Sequence, residues 1–210
     1  MTAVKICGLT READVALACA LGADAVGFNF VPSSVRRLTL ETARRLVGET
    51  AGGVLRVGVF ASEKTLVIRR AVEAAGLDVA QLHRPLREED VDMLEVPVIA
   101  VATVGPGGPE LPPVGRLARC RALLFDTLAA DHAGGTGETF DWQIVAGRDF
   151  GLPIVLAGGL NAENVAEAVR RVRPWAVDVA SGVESAPGIK DPEKMRRFIL
   201  AVREADADAA

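Results

Sequence analysis

Short apolar runs rich in Val, Ile and Phe alternate along this chain with longer stretches whose apolar positions recur every three or four residues. The first pattern predicts buried strands and the second predicts amphipathic helices. Strand candidates fall at 3–7 (AVKIC), 25–30 (AVGFNF), 54–60 (VLRVGVF), 78–83 (DVAQLH), 96–104 (VPVIAVATV), 121–127 (RALLFDT), 153–159 (PIVLAGG) and 176–182 (AVDVASG). Glycine or proline bounds most of them, as turns require.

The intervening stretches carry helix punctuation. TREADVALACALGA has Thr10 in the N-cap position and Gly22 as a stop. Thr39 and Ser62 occupy the same position in the next two, NAENVAEAVRRV begins at Asn161, and Asp191 precedes Pro192 at the start of the last. The fifth return, GPGGPELPPVG (105–115), is too rich in proline for a long helix and predicts a loop with at most one short turn. Eight strands, each followed by a helix or loop, predict a parallel α/β fold. A single-domain (β/α)8 TIM barrel over residues 1–203 uses every unit, with 204–210 as a frayed tail and an irregular, Pro-rich fifth return. The 210 residues lie near the lower bound for that fold, roughly 200 residues. The alternative, an open doubly wound sheet, lacks a G-x-G-x-x-G turn after its first strand.

Composition narrows the function. Half the residues are hydrophobic, a quarter are charged, and the net charge is −4 with both signs interspersed. That distribution speaks against nucleic acid or an anionic membrane as partner, and no apolar run is long enough to span a bilayer. Three cysteines without metal or redox spacing, and no recognisable signal peptide, fit a reduced, cytoplasmic setting. Two histidines, His83 and His132, argue against a His-based metal site. Whether the chain is a monomer or a homodimer is left open.

Strand parity nominates the chemistry. Alternate residues of a barrel strand point into the barrel and out toward the helices. If Val4 and Ile6 face the helices, Lys5 and Cys7 point inward; by the same reasoning Asp126 and Asp178 point inward near C-terminal strand ends. That rim is where barrels of this kind place active sites. Each residue also has a plainer use: a strand cysteine packs as a small hydrophobe, an Asp at a strand end forms turns, and Lys5 with Asp178 can be a structural salt bridge. Glycine turns favour the functional reading. Gly158 and Gly159 follow strand seven, and Ser181 and Gly182 end strand eight, where backbone N–H groups can approach a phosphate.

The segments KICGLT, QLH, LLFDT, GGTGETFDW, LAGGLNAENV and VDVASGVESAPGIKD, in that order, strongly resemble the phosphoribosylanthranilate isomerase family of tryptophan biosynthesis, from residue 4 to about residue 199. The resemblance implies a (β/α)8 barrel and an Amadori rearrangement of a small phosphosugar, N-(5′-phosphoribosyl)anthranilate, with no metal or cofactor. It implies Cys7 as general base and Asp126 as general acid. Lys5 would favour the thiolate, and an apolar setting would keep Asp126 protonated. Arg36 would meet the anthranilate carboxylate, with Arg37 as a rival, since Val35 replaces the family's proline. Gly135, Thr136 and Gly137 would border or close over the site, Gly158, Gly159, Ser181 and Gly182 would hold phosphate, Asp178 would lie near the ribose, and His83 would line the pocket. The chain departs from the family at QLHRP (81–85), where the family has QLHG. An indole-glycerol-phosphate-synthase-like barrel and a non-catalytic phosphosugar-binding barrel are the competing readings. The first needs an extra N-terminal helix for which the sequence before strand one has no room.

Overall fold

In the computed structural model, which describes residues 1–127 and 139–208, eight parallel strands close into a barrel. They are β1 (Ala3–Ile6), β2 (Ala25–Asn29), β3 (Leu55–Phe60), β4 (Val79–Leu82), β5 (Val98–Gly105), β6 (Ala122–Thr127), β7 (Ile154–Leu156) and β8 (Ala176–Val179). Each pairs with the next, and β8 returns to β1 over four residue pairs, Ala3–Ala176 through Ile6–Val179. The helices are α1 (Glu12–Ala20), α2 (Leu40–Gly48), α3 (Thr65–Ala75), α4 (Glu88–Met93), α5 (Val114–Leu117), α6 (Val165–Val172) and α7 (Pro192–Ala207). Among the described residues no helix is long and apolar enough to cross a membrane.

The period of two divides the core in two. Val4, Ile6, Val26, Phe28, Leu123 and Phe125 turn outward and join Val15, Leu46, Ile68, Phe198 and other helix residues in the larger apolar cluster. Ala3, Ala25, Val57, Val79, Ile99, Leu124, Val155 and Ala176 fill the barrel interior. Small residues on β1, β2 and β8 face larger ones on β3, β4 and β5, which packs the interior with side chains.

Helix starts follow the predicted punctuation in two cases. Thr39 Oγ1 accepts from the Thr42 N–H at 3.1 Å and caps α2. Asp191 accepts from the N–H groups of Glu193 and Lys194, with Pro192 opening α7. Elsewhere the helix starts later than the expected cap. Thr10 donates to the Gly188 carbonyl, and α1 begins after Arg11. The chain passes Ser62 and starts α3 after Lys64. Asn161 accepts from the N–H groups of Glu163 and Asn164, and α6 begins only at Val165.

Two peripheral segments differ from expectation. The fifth return is more ordered than a loop: Gly108–Glu110 folds back as an antiparallel strand on Thr103–Gly105, and α5 follows. The tail expected to fray from 204 continues as helix to Ala207, because Ala205 is buried and Asp206 accepts from both the N–H and the hydroxyl of Thr2.

Candidate active site

The C-terminal ends of the strands surround a cavity of about 190 Å³, and most of the nominated residues converge there. Cys7, Arg36, His83, Asp126, Gly158, Gly159, Asp178, Ser181 and Gly182 all line it. Gly135, Thr136 and Gly137 lie outside the described residues. Of the two rival arginines, Arg36 lines the cavity, while Arg37 is exposed and its backbone bridges to Asn29.

Cys7 follows β1 directly, with its N–H bonded to the Val179 carbonyl at 2.8 Å. Gly8 then turns the chain with φ +73°, a conformation that favours glycine. Its missing side chain also leaves room for the stem of Arg36, which a Cβ there would strike. Gly27 on β2 does the same for the thiol: a Cβ at that position would lie 2.8 Å from Cys7 Sγ.

Lys5 and Asp178 sit opposite each other in the β1–β8 register, with Nζ 2.8 Å from Oδ2 and both side chains buried. Burial alone would lower the Lys5 ammonium, but Asp178 and the Cys7 sulfur together outweigh it and hold it above its usual value. Burial pushes the Cys7 thiol up, Asp178 adds to that, and Lys5 opposes both. Lys5 thus acts in the expected direction without overcoming desolvation. Asp126 is pushed up to about 6 by burial and by Asp178, against smaller opposing effects from the Thr127 backbone and Lys5.

His83 is lowered to about 4, first by burial and then by Lys5, so its imidazole is neutral. Its Nε2 accepts from the Gln81 side-chain amide at 2.7 Å, which leaves the ring proton on Nδ1. Gln81 Oε1 and Asp178 Oδ1 are buried acceptors with no partner among the described residues. Both residues line the cavity, where hydroxyl groups of a sugar would satisfy them. Gln81 shares the inward parity of His83 on one strand, the signal by which the sequence could have nominated it.

The two glycine turns pack against each other. Gly158 and Gly159 have φ of +80° and +66°, and a side chain on Gly158 would strike Thr127. A Cβ on Gly182 would overlap the Leu160 carbonyl oxygen, so the turns after β7 and β8 touch backbone to backbone. Asn164 secures the first turn by donating to the Gly159 carbonyl at 3.0 Å.

The QLHRP departure has a structural answer. Arg84 makes two 2.6 Å bonds to Asp90, which is fully buried at the start of α4 and also accepts from the Thr65 hydroxyl. An ion pair thereby anchors the turn after β4.

Fold and rim together define the class: a (β/α)8 barrel whose polar groups gather where its strands end. Within that class the chain belongs to the N-(5′-phosphoribosyl)anthranilate isomerase family, whose model matches residues 4–201, and it is an enzyme. It is 43% identical to the isomerase of that name from Chlorobaculum parvum, covering 98% of this chain and 97% of the relative. It is 41% identical to the one from Pseudomonas putida, covering 96% and 97%. The Thermotoga maritima phosphoribosyl anthranilate isomerase structure superposes with a TM-score of 0.85 at 37% identity, over 97% of this chain and 100% of that one. A structure of such an isomerase in complex with reduced 1-(o-carboxyphenylamino)-1-deoxyribulose 5-phosphate matches at 0.82 and 37%, with the same coverage. This membership decides against the indole-glycerol-phosphate-synthase-like reading.

Proposed function

We propose that this enzyme converts N-(5′-phosphoribosyl)anthranilate into 1-(2-carboxyphenylamino)-1-deoxyribulose 5-phosphate by an Amadori rearrangement in tryptophan biosynthesis, working in the cytoplasm. The observation that carries the mechanism is that Cys7, directly after β1, and Asp126, on β6, face one cavity. Asp126 protonates the furanose ring oxygen, the C1′–O bond breaks, and the anthranilate nitrogen takes up the positive charge as an iminium. Cys7 removes the C2′ proton, the C2′–H electron pair forms a C1′=C2′ double bond, and the C=N π pair returns to nitrogen, which gives an enol-amine. Tautomerisation, with loss of the C2′ hydroxyl proton and gain of one at C1′, yields the ketone.

The raised values of both groups define how the pair works. At neutral pH Cys7 rests as a thiol and Asp126 as a carboxylate in the same cavity, and the working state needs the thiolate and the carboxylic acid. The working state is reached when Cys7 gives up its proton and Asp126 takes one up, and Lys5 stabilises the thiolate when it forms. Gly158, Gly159, Ser181 and Gly182 hold the phosphate, Arg36 takes the anthranilate carboxylate, and Gln81, His83 and Asp178 bind sugar hydroxyls. Gly135, Thr136 and Gly137 border the phosphate or close over the site.

The test follows consumption of phosphoribosylanthranilate by fluorescence in wild type, Cys7→Ser and Asp126→Asn. Wild type turns over, and each variant loses at least about a hundredfold in kcat. An inert wild type, or two fully active variants, sinks the reading.

A further inference from the structure

Arg36 does not reach the cavity freely. Its Nε and one terminal nitrogen each bond Glu184 at 2.7 Å, on Oε1 and Oε2. This two-pronged pairing occupies one edge of the planar guanidinium and fixes the plane. Nη1 and the remaining N–H of Nη2 stay on the edge away from Glu184. The stem is confined as well, because it passes over Gly8 where a side chain would collide with it.

Glu184 opens the short antiparallel pair formed by Glu184–Ala186 and Ile189–Lys190 after β8. Its Oε1 also accepts from Lys190 Nζ at 2.9 Å, and Lys190 is buried and bonded to the Ala180 carbonyl. The Lys190 N–H is in turn held by Asp14, which pairs with Arg11. One carboxylate therefore serves two cations, the buried Lys190 and the partly buried Arg36. Within this group Arg36 and Lys190 carry two positive charges against the one negative charge of Glu184, so the carboxylate does not cancel both cations.

We propose that Glu184 is a positioning residue that makes Arg36 a carboxylate reader, with Lys190 keeping Glu184 from neutralising the arginine it aims. The ligand group it selects is a planar carboxylate, held by the outer edge of the guanidinium. This rests on the reading of Arg36 as the contact for the anthranilate carboxylate. Glu184 touches no reacting atom. Its role is to turn one arginine edge toward the aglycone, so that substrates lacking an ortho carboxylate are disfavoured.

Two ligands separate this role from a merely structural one: reduced 1-(o-carboxyphenylamino)-1-deoxyribulose 5-phosphate, and the same molecule with an unsubstituted phenyl ring. Titration calorimetry measures both on wild type, Glu184→Gln and Glu184→Asp, with thermal melts confirming that each variant is folded. The carboxylated ligand is expected to weaken about tenfold or more in the variants, since hydrogen bonds to charged groups are at stake, while the phenyl ligand changes less than about twofold. Equal weakening of both ligands, or of neither, overturns the inference. If Glu184→Gln fails to fold, Glu184→Asp decides, because it keeps the charge but is one methylene too short to hold the pairing. A wild type that does not turn over phosphoribosylanthranilate defeats the proposed function; an active wild type whose Glu184 variants do not discriminate defeats only this inference.

Discussion

Asp178 shares the cavity with Cys7 and Asp126 and raises both of them, while its own charge is balanced by Lys5 at 2.8 Å. The ion pair therefore ties β8 to β1, and its carboxylate adds to burial in holding Cys7 and Asp126 up. Replacing Asp178 by Asn removes one of the causes that hold the Cys7 thiol up. The pH midpoint for iodoacetamide alkylation of Cys7, read at that site by mass spectrometry, is expected to move lower. A midpoint that stays put or rises contradicts the assignment.

Asp126 also imposes a stability cost. Its folded value of about 6 lies above the ordinary 3.8, so the unfolded chain gives up this proton first. Stability from this group is complete below about pH 3.8 and is lost as pH rises through about 6. Asp126→Asn removes that loss, so the variant is more stable than wild type at pH 8, by up to about 3 kcal/mol, and no more stable at pH 3.5. Urea unfolding at the two pH values measures the difference.

Asp90 behaves in the opposite sense. Although its burial pulls the other way, Arg84, the Arg87 backbone and Thr65 together hold its carboxyl below the usual value. Its contribution is present above the ordinary carboxylate range and disappears as pH falls through the lowered folded value. Asp90→Ala leaves Arg84 without its buried partner and is expected to lose about 3–5 kcal/mol at neutral pH. Chemical denaturation reads this directly, and a loss below about 1 kcal/mol would show that the turn after β4 is held by other contacts.

Gly182 is the position where a methyl group has nowhere to go, because the Leu160 carbonyl already occupies the space. Gly182→Ala must push apart the turns after β7 and β8. Inhibition by inorganic phosphate is expected to weaken at least about tenfold, the equivalent of one charged hydrogen bond. Unchanged inhibition in a folded variant would place the anion elsewhere.

Strands were the most legible part of the chain, since buried runs of Val, Ile and Phe have few other uses. Their ends shifted where backbone conformation took over: the seventh, expected at 153–159, stops at Leu156 because Gly158 and Gly159 adopt positive φ and leave the pleat. Parity placed Lys5, Cys7, Asp126 and Asp178 correctly because a strand offers only two faces. Helix starts were less legible at Thr10, whose hydroxyl donates to the distant Gly188 carbonyl, and at Asn161, whose side chain accepts from N–H groups of its own turn. Least legible were relationships across the barrel. Nothing near Arg36 announces Glu184, 148 residues away, and nothing near Cys7 announces that Gly27 clears its space. The balance between Lys5 and burial at Cys7 was also hidden, because it depends on how much water the closed barrel excludes.

The clasp between Thr2 and Asp206 has a consequence for connectivity. Two hydrogen bonds of 2.6 and 2.7 Å hold the first and last elements together, and Arg203 adds a third contact to the Thr2 carbonyl at 2.7 Å. Thr2 and Asp206 are thus separated by only a short gap at the bottom of the barrel, at the opposite end from the rim that lines the cavity. A short linker across it, with new ends opened at the exposed Gly52–Gly53 turn, would give a permuted chain with the same rim.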